Sequence, residues 1–308
     1  MLTDIFPVTA DGYLLVSASR AFGSTDDQSG EEHYARQFNV DDAYTQNLIR
    51  GLQYLLPEKQ YGPILEIGCG TGILSKALAL GINSNEMVIS DSSRQFLSMT
   101  RRTIGVLRKD VTYAVLNGDD IPKIPDGYFS IAAFRYLLHH ILDWESFLRA
   151  ISKVVGQGGC IVFEEPCVEG FLLQTLAIAL CKADSTDPTI TKNLDSFVNT
   201  IMWYLKTEVD KTNSEDKHLF QPDQIFSIFN ELGFLGKFYA NVGIDNIDSG
   251  THGNMFIPAF RHNLKGNFGF GDQTVEWFDR KVAPVISYIE EITKNSPRVK
   301  GVFKFTRG

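Results

Sequence analysis

The sequence predicts an α/β protein built on a doubly wound, mostly parallel sheet, and three observations carry that prediction. The apolar run Ile64 to Ile67 breaks directly into glycines at 68, 70 and 72 and then into an amphipathic stretch. Strand, glycine turn and helix in that order open a nucleotide-binding βα unit. Further apolar runs at 87–90, 111–116, 128–134 and 156–166 recur with intervening segments that suit crossover connections between parallel strands. At 308 residues, with 44% hydrophobic and 21% charged residues, the chain can bury roughly three quarters of its unfolded surface. One large domain with an elaboration therefore fits better than two independent ones.

Taken in order, the first forty residues are the least patterned. GYLLVSAS (12–19) reads as a strand, STDDQSGEE (24–32) as a polar loop, and EEHYARQF (31–38) as a short helix. A helix over 41–56 turns Ala43, Leu48, Leu52, Leu55 and Leu56 inward and stops before Pro57. Pro63 suits the start of the strand ILEI, and the glycines after it let the backbone approach a ligand closely. ILSKALAL (73–80) continues as a helix ending near Gly81.

The turn excludes two phosphate cradles. A dinucleotide fingerprint needs a third glycine where Ile73 stands, and a P-loop needs glycine directly before Lys76, where Ser75 stands. The next strand, MVIS, ends in Asp91, whose carboxylate can accept from both hydroxyls of a ribose. These residues describe a nucleoside site without a strong phosphate cradle.

VTYAVL (111–116) is read as the third strand of the series and leads to Gly118, Asp119 and Asp120. YFSIAAF (128–134) is the fourth, followed by Arg135 and, just before a helix over 142–155, by His139 and His140. An imidazole titrates near pH 6.5, so either histidine can take a proton from a hydroxyl at neutral pH. GQGGCIVFEEP (156–166) carries Glu164 and Glu165 at its end. Two apolar-striped helices over 168–183 and 191–209, joined by DSTDP, would then lie over the carboxyl ends of the strands, where open α/β sheets bind ligands. Phe171, Met202, Trp203 and Tyr204 become candidate walls of an apolar pocket. A helix over 221–232, a strand over 234–243, a lid or interface loop over 251–272, a helix over 274–294 and a strand over 299–307 complete the chain.

From Tyr61 to Pro166 the motifs E-x-G-C-G-T-G, the acid at Asp91, NGDDIP, FRYLLHHILDW and GQGGCIVFEEP occur in one order. That order resembles the class I S-adenosylmethionine-dependent methyltransferases, in their small-molecule branch. The resemblance implies a Rossmann-like, seven-stranded, mostly parallel sheet with an antiparallel last strand, an N-terminal extension and a helical cap insertion. It divides the chain into an extension and lid helix at 1–60, a cofactor-binding core at 61–166, a substrate cap at 167–220 and the remainder of the sheet at 221–308. It implies S-adenosyl-L-methionine as cofactor, held by Tyr34, Glu66, Gly68, Cys69, Gly70, Asp91, Ser92, Asp119, Asp120 and Arg135, with Asp119 near the adenine amino group. It also implies catalytic roles for His139, His140 and Glu165. Ser130 departs from the pattern, since the family usually has an aspartate there, and a buried serine must find a local partner.

A net charge of −8 and a pI near 5.3 argue against a nucleic-acid partner, which would need lysine and arginine in excess. Cys69, Cys160, Cys167 and Cys181 form no zinc-like pair, so they are expected reduced and buried in a cytoplasmic protein without a metal. The N-terminus lacks a secretory pattern, and Phe171 to Leu180, interrupted by Gln174, is too short to span a bilayer. No membrane partner is expected, and a homodimer stays open. The expected activity is methyl transfer to a small, partly apolar acceptor of secondary metabolism, O-methylation favoured over N- or C-methylation. A nicotinamide-dependent oxidoreductase is the rival enzyme, opposed by Ile73, and a non-catalytic nucleoside-binding protein is the rival from another class.

Overall fold

Alternate residues along the central strands separate into two cores. In the computed structural model Leu65, Val88, Ala132, Phe134, Ile161 and Phe163 face one side of the sheet, while Ile64, Met87, Ile89, Ile131, Ala133 and Val162 face the other. That period of two, with both sets buried, is what a parallel sheet covered by helices on both faces requires. The structure describes residues 1–18, 42–57, 60–206, 208–214, 216–249, 256–293 and 298–308. Tyr34 and the short helix expected around it lie outside these.

The strands are β1 (Leu14–Leu15), β2 (Ile64–Ile67), β3 (Met87–Asp91), β4 (Val111–Val115), β5 (Phe129–Arg135), β6 (Val155–Pro166), β7 (Phe234–Ala240) and β8 (Lys300–Arg307). Their order across the sheet is β1-β4-β3-β2-β5-β6-β8-β7. β1 through β6 pair in parallel, and β8 runs antiparallel to both β6 and β7. The antiparallel last strand is as expected. The difference from seven strands is β1, two residues of the N-terminal segment added to the edge of β4. After β2 the chain winds outward through β3 and β4, then returns to the other side through β5. The crevice above β2 and β5 is therefore the topological switch point at which such sheets bind ligands.

Helices α1 (Asp42–Leu55), α2 (Ile73–Gly81) and α3 (Arg94–Ile104) precede the switch, and α4 (Trp144–Val154) follows it. Ser93 caps α3, accepting from the amides of Gln95 and Phe96 at 3.2 and 3.3 Å. Asp143 caps α4 through the amide of Ser146. On one face the rings of Phe134, Phe163 and Phe303 stack in succession across β5, β6 and β8, at 4.5 and 4.8 Å between centroids. That ladder keeps the ends of β5 and β6 in fixed register beneath the site.

Beyond β6 come α5 (Val168–Cys181), α6 (Pro188–Leu205) and α7 (Pro222–Glu231), and beyond β7 come α8 (Phe256–His262), α9 (Asp272–Lys281) and α10 (Ala283–Thr293). Phe171, Ile178, Leu194 and Phe197 of α5 and α6 share a third core with Phe260, Leu264, Phe278 and Ile286. The stretch expected as a loop over 251–272 is thus in part a helix, α8, continued by a π turn at Asn263–Asn267. Burial of Phe260, Leu264 and Phe270 against α6 and α9 drives it, a tertiary effect that glycine-interrupted sequence does not display. The single helix expected over 274–294 is two, divided at Val282. Pro284 has no amide hydrogen to continue the ladder back to Arg280.

The described cysteines are free thiols. Cys69, Cys160 and Cys167 are buried as expected, and Cys181 is partly exposed. The serine at 130 finds its partner locally, donating to the carbonyl of Pro63 at 3.1 Å. Among the described residues no helix is long and apolar enough to cross a membrane.

Candidate active site

The turn after β2 is locked from three directions. Gly70 donates its amide to Asp91 Oδ2 at 2.9 Å, its carbonyl accepts from the Thr100 hydroxyl at 3.1 Å, and the Cys69 amide donates to the Ser90 carbonyl at 3.0 Å. Gly68, Gly70 and Gly72 all have positive φ. A Cβ on Gly68 or Gly72 would press on Leu137 or Thr100, whereas one on Gly70 would meet nothing within 4 Å. The backbone at Gly70 therefore borders open space, the cradle that a close-lying ligand needs. Cys69 contributes backbone to the turn. Its side chain joins the core below, where burial holds the thiol's pKa well up.

Two carboxylates stand behind this cradle. Asp91 ends β3, 7% exposed, and accepts from the Gly70 and Ser93 amides, one at each oxygen. Burial raises its pKa to about 6 against the pull of those amides. A carboxylate offers about four acceptor sites, so Asp91 can also take a hydroxyl donor. Glu66, in the middle of β2, is 1% exposed, and neither oxygen has a hydrogen-bond partner among the described residues. Burial lifts it to about 8, with Ser75 opposing the rise and the charge of Asp91 adding to it. A buried carboxylate left unsatisfied is costly unless a ligand completes it. Ser92 lies between Asp91 and the capping Ser93, half-buried.

After β4, Asp119 is exposed in the first turn of the 3-10 helix Gly118–Lys123. Asp120 instead turns to Lys123 at 2.7 Å, which with Ser17 lowers its pKa. The two neighbouring acids, alike in sequence, are divided by the tight turn.

At the end of β5, Arg135, expected as a cofactor contact, is engaged within the chain. Its Nε donates to Glu164 Oε2 at 2.8 Å. The other Glu164 oxygen accepts from Lys300 Nζ at 2.8 Å and from the Tyr136 hydroxyl at 2.5 Å. Glu164 is fully buried. Burial alone would raise its pKa, but the charges of Arg135 and Lys300 hold it well below the usual carboxylate range. Arg135 is thus neutralised within the chain. Tyr136, with φ of +51°, is a strained non-glycine residue that this ion cluster holds in place.

A second cluster lies alongside. His139 Nδ1 is 2.7 Å from Glu165 Oε2, and the other Glu165 oxygen accepts from the amides of Leu137 and Leu138 at 2.7 and 2.6 Å. Glu165, expected to be catalytic, is fully buried and bonded to His139, an arrangement that orients the imidazole. The imidazole rings of His139 and His140 lie 4.1 Å apart. Asp216, absent from the sequence reading, brings Oδ1 to 3.5 Å from His139 Nε2 and 3.4 Å from His140 Nδ1. The segment bearing it is pinned by the Lys217 amide on the His139 carbonyl at 2.8 Å and by the Tyr204 hydroxyl, 3.3 Å from Asp216 Oδ2. Of the expected pocket walls, Met202 is exposed, Trp203 and Tyr204 are half-buried at the end of α6, and Phe171 belongs to the cap core.

A doubly wound sheet with a glycine cradle at its switch point and a ribose-competent acid on the next strand defines a class I methyltransferase. The chain belongs to the methyltransferase-domain family, whose model matches residues 36–235. This sets aside the nicotinamide-dependent alternative. The chain is 30% identical over 100 residues to a ubiquinone biosynthesis O-methyltransferase of Thiobacillus denitrificans, covering 32% of this chain and 42% of that protein. It is 31% identical over 139 residues to a malonyl-[acyl-carrier protein] O-methyltransferase of Legionella pneumophila subsp. pneumophila, covering 43% and 45%. The matches thus span less than half the length of these relatives. Phosphoethanolamine N-methyltransferase 2 of Haemonchus contortus, solved with S-adenosyl-L-methionine, superposes with a TM-score of 0.52 over 91% of this chain and 57% of that one. At 15% identity that likeness concerns the fold alone.

The class cofactor, S-adenosylmethionine, fits the residues present. The unsatisfied Glu66 carboxylate suits a cationic group, the space at Gly70 suits close backbone approach, and Asp91 suits a ribose.

Proposed function

We propose that this chain methylates a hydroxyl of a small, partly apolar acceptor held between the carboxyl ends of β5 and β6 and the end of α6. When bound, S-adenosylmethionine supplies a methyl group made electrophilic by its sulfonium charge. The protein's share is to hold and dehydrate the reactants, which is catalysis by approximation. Gly68 and Gly70 line the cofactor with backbone, Asp91 takes the ribose, Asp119 the adenine amino group, and Glu66 balances the positive charge. His139, oriented by Glu165, and His140 beside it receive the acceptor's proton.

The single observation that carries the reading is the contact between the Tyr204 hydroxyl and Asp216. It joins the cap helix to the histidine pair, so an acceptor under the cap would lie against a base. The O-methyltransferase names of the two relatives support an oxygen as the methylated atom.

The test uses the full chain with S-adenosylmethionine labelled in its methyl group and panels of phenols, aliphatic alcohols, carboxylic acids and amines. Label is expected in an extractable oxygen-methylated product. Label found only in protein or nucleic acid, or calorimetry showing no binding of the cofactor or its demethylated product at millimolar concentration, refutes it.

A further inference from the structure

We infer that His139, His140 and Asp216 form a binding site for one divalent first-row transition-metal ion. No metal is expected from the sequence, because Asp216 stands 76 residues beyond the adjacent pair His139 and His140. The fold brings His139 Nε2, His140 Nδ1 and an Asp216 carboxylate oxygen within 4.8 Å of one another. The separations from Asp216 Oδ1 are 3.5 and 3.4 Å. Nitrogen and oxygen donors about 2.0–2.1 Å from a tetrahedral centre stand roughly 3.3–3.4 Å apart along the edges, so the two edges from Asp216 Oδ1 already have that length.

The surroundings are those of a built site. Glu165 Oε1 accepts two backbone amides, which fixes the carboxylate and leaves Oε2 to accept from His139 Nδ1–H. That hydrogen bond selects the tautomer with its lone pair on Nε2, directed toward Asp216. A carboxylate bonded to the far nitrogen of a ligating imidazole is the usual outer support of such sites. A lone pair facing a carboxylate oxygen is repulsive, and a cation between them reverses the sign. The Asp216 segment is held as well: Ser214 Oγ donates to the Asp216 carbonyl at 2.7 Å, and Lys211 Nζ donates to the carbonyls of Tyr204 and Lys217 at 2.7 and 2.8 Å. The Asp216 side chain is 47% exposed, which provides an access route for the ion.

Two imidazoles and one carboxylate suit zinc, cobalt, nickel or iron rather than magnesium or calcium, which prefer all-oxygen sets. Three protein donors leave a position for water or a hydroxyl oxygen, whose pKa the ion lowers. With an ion bound, His139 and His140 would serve as ligands, and the proton acceptance assigned to them above would pass to a water or hydroxyl made more acidic by the ion. That use of the ion rests on the function proposed above, whereas the binding does not.

The experiment is calorimetric titration of chelator-treated full-length protein with Zn2+ and, separately, Co2+, the latter followed by its visible absorption. One ion per chain with micromolar or tighter affinity is expected. D216N and H140A should each weaken binding at least tenfold, and E165Q by about 10- to 100-fold. Variants are scored when they bind the demethylated cofactor within twofold of the unaltered protein, which shows an intact fold. Absence of saturable binding at one equivalent, or unchanged affinity in an H139A/H140A double variant, overturns the site. Protonation of the pair would account for the geometry in that case.

Discussion

The Gly70 amide donates to Asp91 Oδ2 across 2.9 Å, joining the turn after β2 to the end of β3. Residues 21 positions apart thereby form one wall, with the open space at Gly70 on its outer side. The acid that would take a ribose also sets the shape of the cradle.

Asp91→Asn should therefore impair both. Its amide group must face either the Gly70 or the Ser93 N–H, leaving a donor opposed to a donor. A loss of about 1–3 kcal/mol in cofactor binding, roughly 5- to 150-fold in Kd, is expected from calorimetry. Binding within twofold of the unaltered protein would show that Asp91 only shapes the turn.

Gly70→Val separates stability from binding. The position has φ of +49° but no atom within 4 Å of a built Cβ, so the cost in melting experiments should be the left-handed backbone penalty of about 1–2 kcal/mol. The side chain would occupy the cradle and abolish cofactor binding. A variant that melts as stated yet still binds would move the cofactor elsewhere.

Glu66 gives a pH signature. Its pKa is raised from 4.5 to about 8 in the folded chain, so the unfolded chain sheds this proton more readily. This residue's contribution to stability is then full below about pH 4.5 and declines as pH rises toward 8. Without ligand, the melting temperature should fall more steeply over that window in the unaltered protein than in Glu66→Gln. A cationic ligand favours the ionised form, so binding at pH 7 should release a proton. Calorimetry in buffers of different ionisation enthalpy should detect the release, and Glu66→Gln should diminish it.

Glu164→Ala should be the most destabilising of these changes. It leaves Arg135 and Lys300 as like charges without their shared, fully buried counter-ion, at a cost of about 3–5 kcal/mol in denaturant unfolding. Because Glu164 is held below the normal carboxylate range, the stability it provides is present at neutral pH. It disappears only in acid, as pH falls through the folded pKa.

The legible parts of the site were those written locally. Ile64 to Ile67 with the glycines after them, and Asp91 at the end of its strand, needed only near neighbours to be read. The two glutamates ending β6 were visible as a pair, but not that Glu164 turns to Arg135 while Glu165 turns to His139. Alternation along a strand sends adjacent side chains to opposite faces, and what waits on each face is decided by other segments. Asp216 had no signal, since the segment around it has no apolar period. The helical content of 256–267 was equally hidden, because it depends on burial of Phe260 and Leu264 against the cap.

By itself the sequence determined the succession of strands and helices, the glycine turn and the acid beside it, because periodicity, backbone freedom and chain punctuation act over a few residues. Only the tertiary structure decided which charges neutralise one another and that Asp216 joins the two histidines. Those pairings bring together groups from distant segments, and burial, which makes each pairing obligatory, exists only once the chain has folded.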